Sequence, residues 1–140
     1  MQILLDTNII ISGLLSSKGP PGQLLQRWLD GRFNLVTSQA QLDELRRALG
    51  YEKLRGRINP AQVRDFVDNI NVRAIVAPSV PAVSFSSDPD DNAILATAIA
   101  GHANLIVSGD RSGMLDLGEV EGIPIITARE ALNRLDAGDG

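Results

Sequence analysis

Short aliphatic runs alternate with helix-forming segments along most of this 140-residue chain, and that alternation constrains its fold more than any other feature. Runs rich in Ile, Leu and Val predict strands at residues 2–5, 33–37, 72–76, 105–108 and 124–126. Most segments between them carry apolar residues at helical spacing. Strands that alternate with helices are typical of one α/β domain with a mainly parallel sheet.

Helix start and stop signals support the same pattern. Ser38 with Gln41 and Thr127 with Glu130 are capping-box pairs, each placed where a helix is expected to begin. The predicted helices cover residues 8–15, 21–30, 39–50, 60–70, 89–100 and a last stretch from 128. Residues 51–57 predict a short polar helix or turn, and 77–87 a loop. We expect one domain over residues 1–136 and a flexible tail at 137–140.

The composition excludes several kinds of site. The chain has no cysteine, so a disulfide scaffold, a thiol nucleophile and a cysteine-based zinc site are ruled out. A Ser-His-Asp triad would have to use His102, the only histidine. The start lacks the basic segment of a signal peptide, and no apolar run reaches the roughly 20 residues that span a bilayer. We therefore expect a soluble, cytoplasmic protein that does not contact a membrane.

Charge is unevenly distributed along the chain, although the net value is only −4. Residues 46–57 contain five basic residues and a single acid, Glu52, whereas ten acidic and three basic residues follow from Asp88 onward. The basic residues are Arg46, Arg47, Lys53, Arg55 and Arg57. This segment is either a solvated helical face or a patch that contacts phosphates.

Two predicted strands run directly into an aspartate. Asp6 ends the first aliphatic run, and Asp110 follows the run at 105–108 after Gly109. A carboxylate at the end of a buried strand is costly unless it is paired or binds a cation, and sites in parallel sheets form beyond the carboxyl ends of the strands. The alternatives are that Asp6 caps the next helix and that Asp110 is an ordinary loop residue.

Two further acids are expected beside apolar helix stripes. Glu44 lies next to a stripe of leucines, with alanines four residues away on either side, or else has its carboxylate in water. Its neighbour Asp43 is expected to form a surface ion pair with Arg46 or Arg47. Asp91 lies on the apolar stripe of its helix, although an acid in a first turn also favours the helix dipole.

The four acids together indicate a cation site. Four carboxylates that face the same edge of a sheet would repel one another strongly without a cation. A site with oxygen ligands alone, in a chain without a cysteine or histidine cluster, favours Mg²⁺ or Mn²⁺. Such a site suits phosphoryl chemistry.

At this point the sequence resembles the PIN domain family. The likeness covers the Asp6-Thr7-Asn8 start, the mid-chain Glu44, the helix at 91–98 and the strand at 106–110, and it spans roughly residues 2–130. Within the family the chain is most similar to the VapC-like ribonuclease toxins of toxin–antitoxin systems. The resemblance implies a three-layer α/β/α fold with a mainly parallel sheet of about five strands. It also implies Mg²⁺- or Mn²⁺-dependent cleavage of RNA by a metal-activated water, leaving a 5′-phosphate and a 3′-hydroxyl.

By position, the resemblance assigns catalysis and metal binding to Asp6, Glu44, Asp91 and Asp110. It implies that small polar residues hold these carboxylates by hydrogen bonds, namely Thr7, Asn8 and Ser108. The third acidic position stays open among Asp88, Asp90 and Asp91, of which we choose Asp91 for its place on the buried stripe. Asp88 would then cap the helix or hold a water beside the metal.

Several functional alternatives remain at this point. The chain could be a non-catalytic RNA-binding or assembly module, or a nuclease of RNA processing or decay outside toxin–antitoxin systems. The resemblance further implies a cognate antitoxin and a homodimer, whose contact could involve Trp28 or Phe66 unless these are core residues. The basic segment is expected to contact the RNA backbone.

Overall fold

A six-stranded sheet forms the centre of the computed structural model, which describes residues 1–50, 56–77, 83–110 and 113–139. The strand order is β3-β2-β1-β4-β6-β5. The strands are β1 (Gln2–Leu5), β2 (Asn34–Ser38), β3 (Ile75–Ala77), β4 (Leu105–Val107), β5 (Glu119–Val120) and β6 (Ile123–Ile126). All neighbouring pairs are parallel except β5 and β6, which form an antiparallel hairpin at the sheet edge.

Helices cover both faces of this sheet. They are α1 (Thr7–Leu15), α2 (Pro20–Leu29), α3 (Gln39–Leu49), α4 (Pro60–Arg73), α5 (Pro89–Ala100), α6 (Met114–Leu117) and α7 (Ala128–Arg134), and a wider helical turn follows over Leu135–Asp139. The predicted three-layer α/β/α fold with a mainly parallel sheet is therefore confirmed. No helix in the described ranges is long and apolar enough to cross a bilayer.

The aliphatic runs explain the two-sided burial, because successive strand residues point to opposite faces. In β1, Ile3 and Leu5 join a core shared with α1, α2, α4 and α7, whereas Leu4 packs on the other face with Leu95 of α5. Since both faces are covered, every residue from Ile3 to Leu5 is fully buried. An uninterrupted apolar run is what a strand in this position requires.

Trp28 and Phe66 belong to the core. They are 1% and 3% exposed, and their rings meet edge-on with centroids 5.3 Å apart. The Arg73 guanidinium lies 5.2 Å from the Trp28 ring and donates to the Trp28 carbonyl oxygen over 2.7 Å. These aromatic residues therefore stabilise the packing of α2 on α4, and neither presents a surface for contact with a second copy.

One predicted strand was wrong in its bounds. Residues 72–76 were expected to be extended, but α4 continues to Arg73 and β3 covers only Ile75–Ala77. Val72 lies on the outer side of α4 and is 83% exposed. Its β-branched side chain favours a strand, but the helix already begun by Asn59 and Pro60 continues past it.

Two short elements between Asp110 and β6 have no counterpart in the sequence prediction. Helix α6 has four residues and owes its place to Met114, which is fully buried under the sheet. The hairpin β5–β6 turns at Glu121 and Gly122, whose φ values of 48° and 80° fit a tight turn. Each element is too short to give a periodic signal in sequence.

Candidate functional site

Asp6 and Asp110 come together because β1 and β4 are parallel neighbours in the sheet. Leu5 stands opposite Val107, so both strands end at the same edge. Ser108 links the two acids, since its hydroxyl donates to Asp6 Oδ2 over 3.2 Å and accepts from the Asp110 backbone N–H over 3.1 Å. Ser108 is completely buried, so this link is shielded from bulk water.

Glu44 approaches this edge from α3. The helix starts at the end of β2, where the Ser38 hydroxyl accepts from the Gln41 backbone N–H over 3.2 Å. Glu44 is half-buried. Its neighbour Asp43 points away and pairs with Arg46 over 3.7 Å, as expected for a surface ion pair.

Asp91 reaches the same edge from the first turn of α5. Asp88 caps that helix, because its carboxylate accepts from the Asp90 backbone N–H over 2.9 Å. Asp91 is half-buried and lies 3.4 Å from the Ser86 hydroxyl, whereas Asp88 and Asp90 are exposed. This placement favours Asp91 over its two neighbours for the third acidic position.

The four predicted acids line one cavity of about 450 Å³. They come from four separate parts of the chain, at the ends of β1 and β4 and on α3 and α5. The other described residues around the cavity are Thr7, Asn8, Ile11, Arg47, Ala48, Asp88, Asp90 and Ile94. The structure therefore brings together all the acids that the sequence singled out, with Arg47 as the basic side chain among the described lining residues.

The clustering changes the electrostatics of the acids. The pKa of Asp6 is raised to about 6, chiefly by burial, with a smaller contribution from the charges of Asp91 and Glu44 and an opposing one from the Ser108 hydrogen bond. Burial, followed by the charges of Asp88 and Asp110, also raises the pKa of Asp91. Repulsion between neighbouring acids thus contributes to both raised pKa values.

The donor set fits a hard divalent cation. Carboxylate oxygens are the ligands that Mg²⁺ and Mn²⁺ prefer, and a cation would offset both the burial of these carboxylates and their mutual repulsion. Thr7 is also among the lining residues, and its hydroxyl is buried without a hydrogen-bond partner among the described residues. In that same part of the chain no three acidic or histidine side chains are already arranged to hold one ion, so binding would require the carboxylates to move closer together.

The sequence matches the family model described as "PIN domain" over residues 2–112. The chain belongs to the PIN domain family. PIN domains are in general nucleases. No match to a curated protein was found.

The fold is also similar to a solved PIN-type structure, the crystal structure of VapBC2 from Rickettsia felis bound to a DNA fragment from their promoter. The superposition has a TM-score of 0.56 with 16% sequence identity, and it covers 91% of this chain and 98% of the other. At this identity the likeness concerns the fold. It supports the sheet topology that brings the strand ends together.

The small polar residues of this PIN domain differ in what they do. Ser108 hydrogen-bonds Asp6, as the resemblance implied. Thr7 acts through its backbone, which hydrogen-bonds Asp6 and lowers its pKa, whereas the Thr7 hydroxyl makes no hydrogen bond within the described residues. Asn8 is exposed at the cavity, and no hydrogen bond from its side chain is present in the described ranges. The expected side-chain bonds of Thr7 and Asn8 to the carboxylates are therefore not seen.

Only part of the basic segment can be located. Lys53 and Arg55 lie outside the described residues. Arg46 and Arg47 are both exposed on α3, but Arg47 alone of these two lines the acidic cavity. Arg57 is exposed before α4.

His102 is remote from the acids. It follows α5 and lines a separate cavity with Glu121 at the edge of the sheet where β4 and β6 begin. The opposite edge carries the acidic cavity. A triad built on this histidine would therefore not include the clustered acids.

The sequence prediction missed a buried polar network beneath the site. Gln41 was expected to bond back to Ser38, but its side chain donates to the Leu5 carbonyl oxygen and accepts from the Thr37 hydroxyl, each over 2.7 Å. The Thr97 hydroxyl of α5 donates to Ser38 Oγ over 2.9 Å. The network therefore joins β1, β2, α3 and α5. A Gln at a helix start gives no sign in sequence of a partner 36 residues away.

Gly113 is a second feature that the sequence did not single out. A β-carbon on it would overlap Asp110 Oδ2 and lie 3.1 Å from Asp91 Oδ2. The two carboxylates therefore flank one small space that only a residue without a side chain leaves free. Asp116 of α6 was missed as well, and it lines a neighbouring cavity with Asp91 and Asp110.

Proposed function

We propose that this PIN domain is a metal-dependent endoribonuclease that hydrolyses RNA phosphodiester bonds, and that Asp6, Glu44, Asp91 and Asp110 are its metal-binding and catalytic residues. The observation that carries the proposal is the single cavity lined by these four carboxylates. Membership of a family of nucleases supports the reaction class. The donor set favours Mg²⁺ or Mn²⁺.

In this proposal each residue has a distinct task. A bound divalent cation would supply an activated water and neutralise charge on the scissile phosphate. Asp6 and Asp110 would hold it from the strand ends, with Ser108 fixing Asp6 by the 3.2 Å hydrogen bond. Glu44 and Asp91 would complete the set from α3 and α5. Asp88 would keep α5 capped so that Asp91 stays at the cavity.

The test is cleavage of a fluorescent RNA in Mn²⁺ and in EDTA. We expect wild type to cut only with the metal and Asp6→Asn to lose cutting by at least about a hundredfold, as for removal of a group essential to the reaction. Calorimetric titration with Mn²⁺ should show the same loss of binding, and an unchanged far-UV circular dichroism spectrum would separate this binding defect from misfolding. Equal cutting by the Asn variant would refute the mechanism.

Glu44 has a matched control on the same helix. Glu44→Gln should abolish cutting, whereas Asp43→Asn should retain it, because Asp43 faces away and pairs with Arg46. Each of the two variants removes one negative charge from α3, at adjacent positions. If both variants cut equally, Glu44 has no place in the site.

We further propose that the protein is the toxin of a toxin–antitoxin pair and acts in the cytoplasm as a homodimer. The structural similarity to VapBC2 supports this role over RNA processing or decay. Induced expression should arrest growth for wild type and not for Asp6→Asn, and co-expression of the protein encoded by the adjacent gene should restore growth. Growth unaffected by the active enzyme would favour processing, whereas RNA binding without cutting would favour a non-catalytic module. Sedimentation of the purified protein tests the dimer.

A further inference from the structure

A second cavity of about 490 Å³ adjoins the acidic cavity, and we call it the side cavity. Three acids line both spaces, namely Asp88, Asp91 and Asp110, so the side cavity lies directly beside the proposed reaction centre. The side cavity has two apolar lining residues that are well exposed, Phe85 at 41% and Leu117 at 38%. Any ligand in it would therefore lie next to the scissile bond.

Phe85 differs from the other aromatic residues that the structure describes. Trp28, Phe33 and Phe66 are buried in the core, whereas Phe85 presents its ring to solvent at the side cavity. A large apolar side chain at the rim of a polar site has no core to stabilise, and such groups often mark a binding site. The exposed ring is therefore a candidate contact for a ligand.

The loop that carries Phe85 is fixed against α5. The next residue, Ser86, donates its backbone N–H to Asn92 Oδ1 over 2.9 Å and accepts from Asn92 Nδ2 over 2.8 Å. Its hydroxyl lies 3.4 Å from Asp91 Oδ2. These contacts hold the backbone next to Phe85 at a set distance from Asp91, so a ligand that touches the ring is positioned relative to the site.

The charges around the side cavity restrict what that ligand can be. The described charged residues that line it are all acidic: Asp88, Asp91, Asp110 and Asp116. Asp91 and Asp110 are assigned to the metal, but Asp88 and Asp116 are not, and their charges would repel a phosphate in the side cavity. A neutral, flat group would not be repelled. Carboxylates accept hydrogen bonds, so the group should also carry N–H donors. A nucleobase meets both requirements, and every base has a face that can stack on an aromatic ring.

We propose that the side cavity binds an unpaired base of the RNA next to the scissile phosphate, and that Phe85 stacks on that base. The proposal rests on the proposed ribonuclease function. The bound base has to be unpaired and out of the RNA stack at that position, because a base held in a stack and a pair cannot reach the ring. Asp116 would accept from an exocyclic amino group, which favours adenine, cytosine or guanine over uracil at that position.

The test measures equilibrium binding of a short single-stranded RNA with Ca²⁺ in place of Mg²⁺, alongside cutting with Mg²⁺. Phe85→Ala and Phe85→Leu should bind about tenfold more weakly, and Phe85→Tyr like wild type, because stacking needs an aromatic ring. Val72→Ala, which shortens an exposed apolar residue on α4, is the control and should bind normally. Replacing the bases one at a time by abasic sites should identify one position at which the Phe85→Ala effect disappears.

The outcomes separate the two proposals. If Phe85→Leu binds like wild type, or if the Phe85→Ala defect persists with every abasic RNA, the base site is wrong even when wild type cuts RNA. If wild type cuts no RNA but Phe85 still governs binding at one base, the base site holds and the nuclease proposal fails.

Discussion

Gln41 Nε2 donates a hydrogen bond of 2.7 Å to the carbonyl oxygen of Leu5, the residue before Asp6. Glu44 lies less than one turn further along the same helix. Gln41 is only 3% exposed, so its amide has no water to replace this bond. The strand end that carries one acid is thus tied to the helix that carries another.

Gln41→Leu should therefore loosen the site as well as the fold. It leaves the Leu5 carbonyl oxygen and the Thr37 hydroxyl without their partner, which should lower the free energy of unfolding by about 1–3 kcal/mol. Urea unfolding and calorimetric Mn²⁺ titration measure both effects. Gln39→Leu is the control, since Gln39 bonds Asp43 at the exposed start of the same helix. Unchanged Mn²⁺ affinity in Gln41→Leu would show that the bond has no part in positioning the acids.

The raised pKa of Asp6 predicts how stability depends on pH in EDTA. The folded protein releases this proton only at about pH 6, above the ordinary value of 3.8, so folding becomes less favourable as pH rises between these values. Asp6→Asn removes this loss and should be more stable than wild type at pH 7.5 by up to about 3 kcal/mol. The difference should be small at pH 4.

Urea unfolding of both proteins at the two pH values checks this prediction. Asp43→Asn should follow wild type, because Asp43 is only half-buried and pairs with Arg46. Saturating Mn²⁺ should reverse the order at pH 7.5 by stabilising wild type alone. An equal difference between wild type and Asp6→Asn at both pH values would contradict the assignment of the raised pKa.

Gly113→Ala should displace a carboxylate without unfolding the domain. Its β-carbon would overlap the Asp110 carboxylate, which is the end of a side chain and not part of the backbone, so the carboxylate would have to shift. We expect about tenfold or greater loss of RNA cutting, as for a small misplacement of a reacting group, and little change in thermal unfolding. Gly109→Ala is the matched control, because among the described residues its β-carbon would meet only Ile9 Cδ1, at 3.8 Å. Normal cutting by Gly113→Ala would mean that Asp110 does not need its present position.

Arg47 and Arg46 allow a comparison of two adjacent arginines on α3. Arg47 lines the acidic cavity, whereas Arg46 pairs with Asp43 on the outer side. Arg47→Ala should weaken RNA binding severalfold. It should also reduce the slope of the logarithm of the binding constant against the logarithm of the salt concentration by about the amount of one phosphate contact. Arg46→Ala should change neither quantity much. Fluorescence anisotropy over a series of salt concentrations gives both quantities. Equal effects of the two substitutions would indicate general charge attraction instead of a contact at the site.

The sequence allowed much of the fold to be predicted because its signals there are local. Uninterrupted aliphatic runs identify β1 and β4, and Asp88 and Thr127 mark helix starts that the structure confirms. The prediction failed where tertiary packing decides the outcome. Val72 has a strand-forming side chain yet continues α4, and α6 exists because Met114 is buried.

The residues of the candidate site also fall into those that the sequence could identify and those that only the folded structure reveals. Asp6 and Asp110 could be located because each follows a buried strand, but their adjacency depends on the pairing of β1 with β4, which no local pattern encodes. Glu44 depended on the family resemblance. The Gln41 network and the Gly113 contact could not be predicted, since each joins residues that are close only after folding.

The link from Ser108 to Asp6 spans 102 residues of chain. A ribosome must therefore synthesise the whole segment from β1 to β4 before these strands can pair and bring the last acid to the first. Every shorter nascent chain has Asp6 without Asp110. For the proposed nuclease, this order of synthesis protects the translating ribosome and its message from the chain that is being made.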